Sequence, residues 1–101
     1  MIIEKEYLDQ LEYFVAIADG PATGVYGTWE MVYELRAGYP NSLNRAFVAG
    51  KKAIYYLLFE LSFRAKTKKL NLDELETLES CEKLIGIWQK ESLARRVAYS
   101  A

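Results

Sequence analysis

Along most of this chain the apolar positions recur at helical spacing. The greasiest stretch is Ile54–Phe63, IYYLLFELSF, in which only Glu60 and Ser62 are polar. Its composition alone would suit a buried strand. The wider window decides for a helix over about 42–66. No proline interrupts it, and Leu43, Ala46, Phe47, Gly50, Ala53, Ile54, Leu57, Leu58, Leu61 and Ala65 fall on one stripe at about 100° per residue. Such a window is also too long for an ordinary strand.

The same pattern predicts three more helices. Tyr7, Leu8, Leu11, Phe14, Val15 and Ala18 make one stripe of a helix over about 3–18, with Glu6, Asp9 and Glu12 off it. Asp19–Gly27, with three glycines and Pro21, reads as the first loop. Thr28 is placed to cap a short helix over 28–37 that Gly38 ends. Pro40 and Asn41 or Ser42 then lead into the central helix. Asn71 and Glu74 form a capping box that opens a fourth helix over 72–90, with Leu75, Leu78, Cys81, Leu84, Ile85 and Trp88 as its stripe. Leu93 and Val97 leave that stripe, which predicts a break near Glu91–Ser92 and a separate segment over 92–101. The expected architecture is therefore all-α, a four-helix bundle-like single domain spanning 1–101, built on a long central third helix.

That central helix has a second apolar face. Val48, Tyr55, Tyr56, Phe59 and Phe63 lie opposite the first stripe. Three readings fit: cover by the chain's own first and last helices, a protein interface, or a base-stacking platform. Surface-to-volume arguments allow the chain's own helices to cover this face. If they do not, Tyr55, Tyr56, Phe59 and Phe63 are the residues expected at a protein interface, since a helix apolar all round must be covered.

Charge sharpens the alternatives. The net charge is −1, but residues 1–34 carry −6, residues 35–69 carry +7 and residues 70–101 carry −2. Acidic helices beside a basic one would attract each other inside a bundle. The basic residues Lys51, Lys52, Arg64, Lys66, Lys68 and Lys69 would alternatively contact nucleic acid, if the fold gathers them.

Chemistry is sparse. There is no histidine to act as a general base or metal ligand, and the single Cys81 can build neither a disulfide nor a thiolate cage. Among the carboxylates only Glu60 sits in an apolar setting, where a structural ion pair is the simpler role. Gly27 and Thr28 precede a helix start, but the loop lacks the GK[ST] ending of a phosphate-binding loop. No catalytic, metal or cofactor site is expected. Lys52, Glu60 and Arg64 interrupt the apolar run well short of the roughly 20 residues a membrane span needs. Met1–Ile3 leads directly into charge, with no apolar leader. The sequence thus suggests a cytoplasmic, non-enzymatic interaction protein, such as a bacterial or phage regulator, inhibitor or assembly subunit, acting on another protein or on itself as a homo-oligomer. A nucleic-acid-binding helical module is the alternative.

Overall fold

The structure, a computed structural model, describes residues 1–100 except 21, 36, 40 and 41. The expected turn prolines Pro21 and Pro40 and the cap at Asn41 lie outside the described residues. In order, the elements are α1 (Lys5–Asp9), β1 (Phe14–Asp19), β2 (Gly24–Tyr26), α2 (Trp29–Leu35), β3 (Leu43–Phe47), α3 (Gly50–Ala65) and α4 (Leu72–Ser100). The strands form one antiparallel sheet in the order β2-β1-β3. The fold is therefore α+β, which overturns the expected all-α helix bundle.

The correction begins at β1. Residues 14–18 were expected to close a first helix over 3–18, yet that helix stops at Asp9 and Phe14–Ala18 is a fully buried strand. Phe14, Ala16 and Ala18 pack in a core with Ala53, Ile54 and Leu57 of α3 and Cys81, Leu84 and Ile85 of α4. Val15 and Ile17 pack on the other side with Tyr26 and with Val32 of α2. A strand covered on both faces carries apolar residues at every position, so period-2 alternation vanishes and a helical stripe can be drawn through it by chance.

A buried strand needs backbone partners along both edges. β2 supplies one, pairing Val15 with Tyr26, Ala16 with Val25 and Ile17 with Gly24. Gly24 has φ +149, and a Cβ there would meet the Met1 side chain at 2.7 Å, so glycine is required. β3 supplies the other edge, running from Phe14↔Phe47 to Asp19↔Leu43 with an irregularity between Ile17 and Asp19. These residues were expected to be the first turns of the central helix. Pairing with β1 overrides their helical periodicity, and α3 begins only at Gly50, after Ala49 in extended conformation. At Gly50 the Phe14 ring lies 3.1 Å from where a Cβ would sit.

From Gly50 on, the helical reading of the greasy stretch matches the structure: α3 buries Ala53, Ile54, Leu57 and Leu61 completely. A short turn returns the chain as α4, which lies against α3. The capping box is formed, with the Glu74 N–H donating to Asn71 Oδ1 (2.8 Å) and the Asn71 N–H to Glu74 Oε1 (3.0 Å). The buried stripe of α4 includes Glu74, Thr77, Cys81, Leu84 and Ile85, whereas Leu75 is exposed. α4 continues unbroken to Ser100, so no break occurs near Glu91–Ser92, and Leu93 and Val97 are exposed on it.

Two polar clusters lock the layers. Arg64 at the end of α3 donates to Glu74 Oε2 at 2.6 Å and lies 3.8 Å from Asp19 at the end of β1; its side chain is 12 % exposed and that of Glu74 8 %. Under the β1–β2 turn, the Thr23 N–H and hydroxyl both donate to Asp73 Oδ2 at 2.8 Å, and the Thr23 and Thr77 hydroxyls are 2.7 Å apart. The Met1 ammonium donates to Thr77 Oγ1 and Asp73 Oδ1. Among the described residues every buried side-chain polar atom has a partner.

Burial alone would raise the Asp73 and Glu74 carboxyls. The Thr23 and terminal-ammonium contacts outweigh it at Asp73, and the Asn71 N–H and Arg64 do so at Glu74, so both end below the ordinary carboxylate range. Carboxylates depressed in this way stabilise the fold fully above their unfolded values of about 4 and lose that stabilisation as pH falls through the folded values. Urea midpoints should therefore hold between pH 7 and 5 and drop below pH 4, with a shallower drop in Glu74→Gln. Arg64→Met strands the buried Glu74 charge and should cost about 3 kcal/mol at pH 7 by the same measurement. Burial pushes the Cys81 thiol up to about 12; the folded chain should react with a thiol reagent only at its unfolding rate, and a fast native reaction would contradict the packing.

Candidate interaction surface

The core side of α3 fixes what its other side presents. Ala53, Ile54, Leu57 and Leu61 face the sheet, so residues offset by half a turn point away from it. That outward arc carries Lys52, Tyr55, Phe59, Phe63 and Lys66. Tyr55 is 47 % exposed, Phe59 68 % and Phe63 62 %, high values for aromatic rings in the middle of a well-packed helix. With Leu58, Ser62 and Lys66 they line a shallow groove of about 340 Å³.

Of the four aromatics expected at an interface, three share this surface and Tyr56 does not. Tyr56 is half-buried, with its ring centroid 5.4 Å from that of Phe47 on β3. Burial raises its phenol pKa, the nearby Glu60 adds to the rise, and Arg45 and Arg64 oppose it. Its role is to seat α3 on the edge strand. Val48, read from sequence as part of the aromatic face, sits in the turn before α3 and is exposed.

The structure does not gather the basic residues into one patch. Arg64 is occupied by Glu74 and Asp19. Lys51 lies over the Trp88 ring, 5.4 Å from its centroid, at the start of α3. Lys66, Lys68 and Lys69 are exposed at the other end, about 22 Å from Lys51 at 1.5 Å per residue. Lys52 is exposed near the first group. At the helix start near Gly27 and Thr28, Thr28 Oγ1 accepts the Met31 N–H at 3.3 Å, so the threonine caps the helix as its position predicts.

One surface was missed in the sequence. The outer side of α4 reads as a solvated charged face, yet Leu72 and Leu75 stand on it among Glu76, Glu79, Glu82 and Lys83, all exposed. With Ile2 and Ser80, most of these residues line a groove of about 590 Å³. The Leu72–Leu75 spacing was the available signal, but Leu75 was assigned to the apolar stripe of the fourth helix, where the structure leaves it exposed. The Thr23–Asp73–Thr77 cluster was also missed; it joins residues about fifty positions apart, which no local pattern announces.

Among the described residues no three His, Cys, Asp or Glu side chains are grouped to hold a metal ion. No described helix is long and apolar enough to cross a membrane. No family model matches the chain, and no curated protein or solved structure is similar to it.

Proposed function

We propose that this chain is a non-enzymatic interaction module: a cytoplasmic regulator, inhibitor or assembly subunit that binds protein through the outward face of α3. The observation that carries the reading is the exposure of Tyr55, Phe59 and Phe63 on a helix whose opposite face is completely buried. Aromatic side chains concentrate at the centres of protein interfaces, where each desolvated ring contributes strongly and its two rotors cost little entropy. Lys52 and Lys66 at the two ends of the stripe supply a charged rim. The nucleic-acid reading has less support, since Arg64 is committed to an internal pair and the remaining lysines sit at opposite ends of a helix.

A photo-crosslinking residue placed at position 59 in the native cell tests this. A crosslinked species above the monomer mass is expected, and it should vanish when Phe63→Glu is added. An uncrosslinked chain at normal abundance would count against the proposal. Because Phe59 contributes little to the core, Phe59→Lys should shift stability by no more than about 0.5 kcal/mol. Collapse of the purified variant would mean the ring belongs to the fold and not to a partner.

A further inference from the structure

Besides its core stripe, α4 carries a second pattern on its outer side. Leu72, Glu76, Glu79 and Lys83 begin a row that continues in Gly86, Lys90, Leu93 and Val97. The steps alternate between four and three residues, so the whole row falls on one heptad seam of the unbroken helix. Its side chains are all exposed. We infer that this seam is the contact between two copies of the chain, paired as an antiparallel coiled coil. The two-fold axis crosses α4 between residues 84 and 85. The contact is independent of the α3 face proposed above.

The order of residue types along the seam selects both the second copy and its direction. Reversed about its midpoint, the row is complementary to itself. Val97 falls opposite Leu72 of the copy, and Lys90 opposite Glu79 with Glu76 beside it, each pair occurring twice. Glu79, Lys83 and Lys90 take part in no ion pair among the described residues. The two Lys83 ammoniums lie nearest the axis, and each has Glu79 one turn back on its own helix as a counter-charge. Parallel pairing would set every one of these charges against its own twin. An antiparallel shift of one heptad would set Leu72 against Lys90 and leave Leu93 and Val97 past the end of the other helix. The opposite shift would set Glu79 against Val97 and Lys83 against Leu93.

Two features of the single chain fit this pairing. The first is the groove of about 590 Å³ on α4, whose lining includes Leu72, Leu75, Glu76 and Glu79. In knobs-into-holes packing those four residues form the hole that receives Leu93 of the copy. Leu93 is itself 62 % exposed, as a knob without a hole must be. The second feature is Gly86. A glycine inside a helix costs about 1 kcal/mol relative to alanine, yet a Cβ at this position would meet nothing within 4 Å. The monomer gives no reason for it. In the pair, its missing side chain leaves room for the stem of Lys83 of the copy, which crosses the seam at that level.

Sedimentation equilibrium on the full chain and its seam variants tests the pairing. Wild type should be a dimer at about 100 μM. Leu93→Glu changes an exposed residue and should weaken that dimer about a hundredfold with its circular dichroism unchanged. Glu79→Lys and Lys90→Glu each bring like charges together across the seam, and each should weaken it about tenfold in low salt. The double variant Glu79→Lys/Lys90→Glu restores opposite charges in both pairs and should return to within about threefold of wild type. A double variant as weak as its parents would mean a different register and overturn the inference. So would a monomeric wild type, or a dimer that Leu93→Glu leaves intact. A dimer lost in Phe59→Lys would put the second copy on α3, which also overturns it while leaving the α3 reading in place.

Discussion

The fold depends on a single requirement: β1 lies inside the molecule with both faces and both edges away from water. Five consecutive buried residues, Phe14–Ala18, leave its amides no solvent to bond, so β2 and β3 must flank it. Its two faces likewise need two covers. Ala16 and Ala18 are small, which lets α3 and α4 approach closely on one side, while Val15 and Ile17 take Val32 of α2 on the other. This division decides the surface. In a bundle α2 would have been available to lie over α3, but here it is spent on the far side of the sheet. The outer face of α3 is left uncovered as a consequence of topology.

The helices were legible where local rules suffice. The greasy run 54–63 is helical because its inward positions recur at 3.6 and not at 2, and Asn71–Glu74 forms the cap its spacing announces. The strands were not legible, for two separate reasons. Phe14–Ala18 is apolar on both sides and carries no alternation to read. Leu43–Phe47 is a strand only because β1 offers it an unpaired edge, information that lies some thirty residues away. Misreading these two pieces also hid where α3 begins and lengthened both neighbouring helices.

The candidate surface was legible as a second apolar face, because the wheel of α3 sets those rings opposite its core stripe; that they are exposed follows only from where the other elements pack. Tyr56 was the exception. It lies between the core and the outer arc, and only the presence of Phe47 on β3 assigns it to packing. The charge asymmetry was visible as well, though its use differs from the expectation. Attraction between acidic and basic helices inside one bundle would have consumed these charges. Instead the internal pairs fall to Arg64 with Glu74 and Asp19, and most of the lysines of α3 and glutamates of α4 stay on the outer surface.

That residue choice bears on what the surface is for. α3 is held by its inner face: Ala53, Ile54, Leu57 and Leu61 bury the apolar area that fixes it to the sheet. Positions 55, 59 and 63 contribute little to that burial, and lysine, glutamate or glutamine would serve the helix better, having higher propensity and no exposed ring. An exposed aromatic also carries a hazard, since contiguous apolar patches promote unspecific association. Three such rings in one arc, bracketed by Lys52 and Lys66, are what the proposed protein contact accounts for and what the packing of the monomer does not require.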